Sequence, residues 1–309
     1  MGPPDRVIAR PQFAGADPPA FVWHTGDLAY GQASTEKWNA WMELIEPYAA
    51  LAPYMVGVGN HEYGYTCPCS DSSGAARACA SRDPTHPEKP GGYHPLGAMF
   101  GNDSSGECGV PLWIKFRMPR GGPGSMPPFY YSFSHGPAHF VTLSSEHSLE
   151  AGSRQLAWLQ EHLRAGVDRA RTPWLFVSIH RPLYSTMIVP PQWVLEMRMR
   201  RTLEPLLAEH DVAVLFAGHL HTYERTCALR HGSCSETGTV HVIAGTGGAH
   251  LHTWYRWPFG GRLLNYLDGH GYGAMRVLNE TLGRFEFHSS DGRVFDSVTV
   301  VNPYRGAPG

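Results

Sequence analysis

Residues 212–225 read VAVLFAGHLHTYER: six apolar side chains, Val212–Ala217, stopped by Gly218-His219-Leu220-His221. An unbroken apolar run of five or six, rich in β-branched and aromatic residues, reads as a strand buried on both faces. The same grammar occurs three times upstream. Residues 19–24 (PAFVWH) lead into Gly26-Asp27, Tyr54–Val58 leads into Gly59-Asn60-His61-Glu62, and Trp174–Ile179 (WLFVSI) leads into His180. Helical patterns fall between them. Ser34–Tyr48 puts Trp38, Trp41, Ile45 and Tyr48 on one face. Ser153–Gly166 offers Ser153 as N-cap, a Leu156, Leu159 and Leu163 stripe and Gly166 as a stop, and residues 192–210 form a third. Strands alternating with helices predict an α/β fold.

Two regions depart from that pattern. Thr66–Pro128 is rich in Gly, Pro and Ser, holds four Cys, and reads as a long insertion. Residues 129–146 read as a hairpin around His135-Gly-Pro, and after Thr239 only strand-like segments follow, with Asp291-Gly292 as a turn. Across 309 residues, 42% hydrophobic and 17% charged side chains exclude a disordered chain. A net charge of -2 without charge runs argues against a nucleic-acid partner, and no apolar stretch approaches the ~18 residues a membrane span needs. The unusual count is histidine, at 18, which directs attention to metal or acid–base chemistry.

The six cysteines are an even set: Cys67, Cys69, Cys79, Cys108, Cys227 and Cys234. None has zinc-ribbon spacing, so disulfides in an oxidising compartment are the better reading, with Cys227 and Cys234 either bridging a loop or free. The tripeptides Asn102-Asp-Ser and Asn279-Glu-Thr match glycosylation acceptors. A secreted or secretory-pathway protein is expected, yet residues 1–20 hold no signal-peptide apolar core, so Met1 is not expected to be the true start.

Polar residues gather where the apolar runs stop. Asp27 with Tyr30, Asn60 with His61, His180, and His219 with His221 each follow a predicted strand. In a parallel α/β sheet, ligands collect beyond the carboxyl ends of strands. Carboxylate, carboxamide, imidazole and phenol together suit borderline-to-hard cations such as Fe, Zn or Mn. A carboxylate between two such ions would let them neutralise a phosphate and activate water.

Four blocks now carry a resemblance: Gly26-Asp27-Leu28-Ala29-Tyr30, Gly59-Asn60-His61-Glu62, Ile179-His180-Arg181-Pro182 and Gly218–Arg225. In order and spacing they resemble the purple acid phosphatases of the calcineurin-like metallophosphoesterase superfamily. Asp103–Pro111, Gly238–His250 and Tyr272–Val301 look like a plant and algal subgroup. The resemblance implies a two-sheet βαβαβ sandwich flanked by helices, with a catalytic core over 1–237 and a C-terminal β-rich segment over 238–309. It also implies roles. Asp27 would bridge two metals, Tyr30 and His221 would bind Fe(III), and Asn60, His180 and His219 would hold a divalent ion (Zn, Mn or Fe). His61 would face the substrate phosphate, making Asp27 and His61 the catalytic residues. The implied reaction is hydrolysis of phosphate monoesters by hydroxide activated at the dinuclear centre. The subgroup's nucleotide pyrophosphatases or phosphodiesterases are the alternative, and a non-catalytic metal-binding relative is a third reading. The expected partner is a small-molecule phosphoester, with no nucleic acid or membrane, and the oligomeric state is open, a homodimer being one option.

Departures are specific. The family's first strand ends in an Asp of a GDxG block that supplies another Fe(III) ligand, and neither Asp5 nor Asp17 follows a buried run. A chain cut from a longer protein is the expectation. Residues 184–191 carry no further His for substrate. Glu62 and Glu224 read as supporting rather than catalytic groups. His250 and His252 follow a Gly-rich turn and are candidates to approach the site, whereas His24, His86, His94, His135, His139, His147 and His288 read as surface or structural. Neither a G-x-S-x-G elbow nor a G-x4-G-K-[ST] phosphate loop is present.

Overall fold

The structure is a computed structural model that describes residues 19–63, 103–107, 109–187, 190–252 and 263–305. Strand β1 (Val22–His24) pairs in parallel with β2 (Tyr54–Val56). Between them runs α1 (Thr35–Ala49), capped as Ser34 Oγ accepts the Lys37 amide, with Trp38 and Ile45 buried. A short α2 (Val110–Lys115) follows.

The centre of the molecule is a mixed sheet. Its strands are β3 (Tyr131–His135), β4 (Ala138–Leu143), β5 (Trp174–Ile179), β6 (Val214–Ala217), β7 (Tyr223–Arg230), β8 (Ser233–Cys234), β9 (Thr239–Ala244) and β10 (Leu263–Leu267). Their spatial order is β10-β7-β9-β6-β5-β4-β3, with β8 on β7. Strands β4, β5, β6 and β9 are parallel neighbours. All six residues of β5 are buried, as its unbroken apolar run predicts. A third, antiparallel sheet holds β11 (Gly271–Val277), β12 (Leu282–Ser289) and β13 (Val294–Val301).

Side-chain alternation along the central strands divides the core in two. On one face Val141, Leu175, Val177 and Leu215 pack with Trp158 and Leu159 of α3 (Arg154–Glu161) and with Leu195, Met199, Leu203 and Leu207 of α4 (Pro190–Glu209). On the other, Trp23 of β1 stands edge-on to Phe140 at 5.4 Å and Phe216 at 6.0 Å. There Phe285 and Phe287 of β12 join Trp174, Phe176, Val214, Val240 and Val242. Two layers of sheet with helices outside are the expected α/β architecture.

The differences are local. Ser153 caps α3 as expected, but the helix continues as a π-helical turn, His162–Gly166. The segment after GHLHTYER is a strand hairpin, β7–β8, rather than a loop, and the Cys227–Cys234 disulfide closes it. Within the 66–128 insertion, residues 103–107 and 109–128 are ordered around α2; Cys67, Cys69, Cys79, Cys108 and Asn102 lie outside the described residues. Strand β9 lies between β6 and β7, so segments on both sides of residue 237 share one sheet.

Candidate metal centre

The site is built at turns, not within strands. After β1 the backbone turns through Gly26 (φ +98°) and Asp27 (φ +56°), and Tyr30 (φ +47°) and His219 (φ +63°) are also left-handed. Non-glycine residues in that region are uncommon and persist where the surroundings hold them. Glu62, completely buried, is one such holder. Its Oε2 accepts the amides of Asp27 (2.7 Å) and Gly59 (3.0 Å), and its Oε1 accepts the amide of Leu28 (2.6 Å). Gly26 permits the close approach: a Cβ there would sit 2.7 Å from Gly59 N and 2.8 Å from His180 Nδ1.

Four predicted residues converge on one point. Asp27 Oδ2 lies 3.2 Å from His180 Nε2, and Asn60 Oδ1 lies 3.0 Å from that nitrogen and 2.9 Å from His219 Nδ1. Asp27, His180 and His219 offer donor atoms all within 4.8 Å of one another, the one such His, Cys, Asp or Glu group found among the described residues. On the other side, Tyr30 Oη lies 3.0 Å from His221 Nε2, and the phenol also hydrogen-bonds Asp27. Asp27 therefore touches both halves.

Outer contacts aim the rings. His180 Nδ1 donates to Thr25 O (3.0 Å) and His221 Nδ1 donates to His250 O (2.5 Å), which leaves both Nε2 atoms as acceptors facing inward. His180 Nε2 then meets only oxygen acceptors, and the Tyr30 proton is claimed by two acceptors. A cluster so rich in lone pairs calls for a proton or a cation. His219 Nε2 accepts from Arg181 Nη1 (2.9 Å), itself held by the completely buried Glu146 (2.9 Å), so Nδ1 is the nitrogen His219 presents to the cluster.

The electrostatics agree. Burial opposes ionisation of Asp27, but His180 beside it holds the carboxyl far below the usual carboxylate range. Burial, and then the Asp27 charge, pushes Glu62 up, while burial and the Arg181 guanidinium hold His219 down and so neutral. Burial together with Asp27 and Glu62 also raises the Tyr30 phenol, so its phenolate needs a cation beside it. His61 donates its amide to Asp27 Oδ1 (3.0 Å) and packs 4.2 Å from the Tyr30 ring; its buried Nδ1 has no partner among the described residues. Carboxylate, carboxamide and two imidazoles on one side, with phenol and imidazole on the other, fit borderline-to-hard cations.

Every predicted site residue is at this centre. Glu62 supports it as expected, and Glu224 accepts the Thr186 amide and hydroxyl instead (2.9 and 2.7 Å). His250 and His252 both reach it. The His252 ring stacks 4.2 Å from that of His221, and its Nδ1 accepts the His221 amide at 3.1 Å. Sequence reasoning missed Asp103, which accepts from Asn60 Nδ2 at 2.9 Å, and the Glu146–Arg181 pair. Arg181 was visible beside His180, but no spacing ties Glu146 or Asp103 to a ligand.

Comparison with known proteins points the same way. Residues 6–223 match the calcineurin-like phosphoesterase profile and residues 238–297 the iron/zinc purple acid phosphatase-like protein C profile. A protein named probable inactive purple acid phosphatase 9 from Arabidopsis thaliana is 35% identical over 76% of this chain, which spans only 34% of that relative. A nucleotide pyrophosphatase/phosphodiesterase from Hordeum vulgare is 30% identical, over 92% of this chain and 72% of the relative. The solved purple acid phosphatase PPD1 from yellow lupin (Lupinus luteus) seeds superposes with a TM-score of 0.73 at 28% identity, covering 93% of this chain and 47% of that one. With both profiles matched, the chain belongs to the purple acid phosphatase branch of the calcineurin-like phosphoesterase family.

Proposed function

We propose that this chain hydrolyses phosphate monoesters, as an acid phosphatase with a dinuclear Fe(III)–M(II) centre. The observation that carries the reading is Asp27 in contact with two donor groups, His180 beside Asn60 and His219 on one side and Tyr30 beside His221 on the other. Asn60, His180 and His219 would hold the divalent ion (Zn, Mn or Fe), Tyr30 and His221 the ferric ion, and Asp27 both. When bound, such a pair supplies Lewis acidity toward phosphate and lowers the pKa of water. The chain's own groups would do the rest. Glu62 keeps the Asp27 turn in place, Thr25 O and His250 O would hold the His180 and His221 rings with Nε2 facing inward, and His61 would meet a phosphoryl or leaving-group oxygen. A small-molecule phosphoester is the proposed partner, and the Cys227–Cys234 bridge and the exposed Asn279 turn favour a secretory-pathway protein.

The barley relative favours a second reading, a nucleotide pyrophosphatase or phosphodiesterase. The relatives named inactive favour a third, a metal-binding protein without turnover. The test is elemental analysis of the purified chain together with rates on p-nitrophenyl phosphate, its bis-ester and ATP at acid pH. Two metals including iron, with the monoester fastest, support the proposal. Faster turnover of the bis-ester or ATP shifts it to the second reading, and bound metal without turnover to the third. A chain that takes up no metal overturns all three.

A further inference from the structure

Asn60 is 4% exposed, and its carboxamide can face the His180–His219 cluster with oxygen or with nitrogen. Only the oxygen can ligate a cation. The choice is made by Asp103, whose Oδ2 lies 2.9 Å from Asn60 Nδ2. A carboxylate only accepts, so the NH2 group must turn to it and Oδ1 must turn inward, 3.0 Å from His180 Nε2 and 2.9 Å from His219 Nδ1. Asp103 sits 43 residues along the chain from Asn60, and the segment that follows it is anchored to the rest of the fold. Glu107 Oε1 accepts Trp38 Nε1 of α1 (2.9 Å) and the Ala33 amide (2.8 Å), and the Gly109 amide donates to Glu62 O (2.8 Å). Ser104 beneath it is completely buried and accepts the Glu107 amide at 3.2 Å.

We propose that Asp103 is a positioning residue of the divalent-metal half-site, delivered by the 66–128 insertion to lock the Asn60 carboxamide with Oδ1 toward the ion. The inference rests on the metal reading above. Without Asp103 only the inward contacts to His180 Nε2 and His219 Nδ1 hold the carboxamide, its NH2 group loses its acceptor, and the polarising negative charge behind it is lost. Outer groups that orient metal ligands characteristically contribute 10–100-fold in affinity.

The test is Zn2+ binding to the full chain by calorimetry, for wild type, Asp103→Ala, Asp103→Asn, Asn60→Ala and the double variant Asn60→Ala/Asp103→Ala. The expected result is a Zn2+ Kd raised roughly 10–100-fold in Asp103→Ala, with no further loss when Asn60 is already Ala. Asp103→Asn keeps an acceptor of the same shape and recovers most of the affinity, falling short by about fivefold as a neutral bond replaces a charge-assisted one. Metal-free thermal midpoints report folding separately. Should Asp103→Ala not fold, the same cycle with Asp103→Asn carries the test. Unchanged affinity in the folded variant, or an equal loss with and without Asn60, overturns the positioning role. Wild type that takes up no Zn2+ overturns instead the metal reading beneath it.

Discussion

The Asp27 carboxylate meets His180 Nε2 at 3.2 Å on one side and the Tyr30 hydroxyl on the other, so one substitution there tests both halves of the centre. Asp27→Asn keeps the size but removes the charge and puts an N–H where a lone pair is needed. Since outer partners alone are worth 10–100-fold, losing this ligand should cost on the order of 100-fold or more in metal affinity. Metal content and turnover should fall together; Asp27→Asn protein that retains both by elemental analysis contradicts the assignment. Tyr30→Phe isolates one half, because the ring can still pack 4.2 Å from His61 while the oxygen is gone. If Tyr30 binds the proposed ferric ion as phenolate, iron-loaded wild type should show a visible phenolate-to-iron charge-transfer band that Tyr30→Phe lacks; a band of equal intensity in the variant would exclude Tyr30 as the phenolate. These candidate ligands were legible in the sequence because each follows an apolar run. Asp103 and Glu146 were not legible: their value lies in a hydrogen bond to a residue far along the chain, and no local pattern encodes it.

Elements formed where side-chain period and caps agreed. Ser153 accepts the Leu156 amide at 3.4 Å, at the head of the stripe that buries Leu156 and Leu159. Ser153→Ala should lower stability by about 1 kcal/mol, read from the denaturation midpoint, and leave metal content unchanged. A coupled loss of metal would mean that α3 also shapes the site. Strand β5 was legible for a different reason, since burial on both faces requires an unbroken apolar run. Strand β7 was missed because its sequence, YERTCALR, buries Glu224, Arg225 and Thr226 beside Tyr223, and their partners come from elsewhere. Arg225 pairs with Asp296 of β13 at 2.5 Å, and Glu224 takes Thr186. Buried polar residues satisfied by tertiary partners erase the apolar signature that propensity reasoning needs. Strand β2 stops at Val56 because the turn that carries Asn60 takes Gly57 and Val58, whereas β1 ends at His24 with its apolar run and is shorter only at its start.

At the scale of the whole molecule, buried titratable groups away from the metal ligands set how stability changes toward acid pH, the range proposed for its activity. Burial, reinforced by the Arg200 guanidinium, holds His241 down to about 3 from its ordinary 6.5. Below pH 6.5 the unfolded chain therefore takes a proton that the folded chain refuses, and stability falls by about 1.4 kcal/mol per pH unit until pH 3. His139, held near 4 by burial and by His162 at 2.9 Å, acts with the same sign. Glu196 on α4 acts oppositely. Burial pushes its carboxyl up to about 7 from 4.5, despite hydrogen bonds from Ser185 Oγ (2.6 Å) and Gln192 Nε2 (3.2 Å). Between pH 7 and 4.5 the folded chain holds a proton that the unfolded chain lacks, so this group adds stability as pH falls. Glu196 thus offsets one of the two imidazoles between pH 6.5 and 4.5, and below pH 4.5 it offsets neither. Glu196→Gln should then be more stable than wild type at pH 8, where the buried charge is gone, and lose about 3 kcal/mol of that advantage by pH 4.5. His241→Leu should do the reverse, gaining on wild type as pH falls from 6.5. Urea unfolding at pH 4.5, 6 and 8 checks both, each read as a difference from wild type so that any common metal contribution cancels. Parallel stability–pH curves for wild type and Glu196→Gln would mean that Glu196 ionises in the fold as readily as in water.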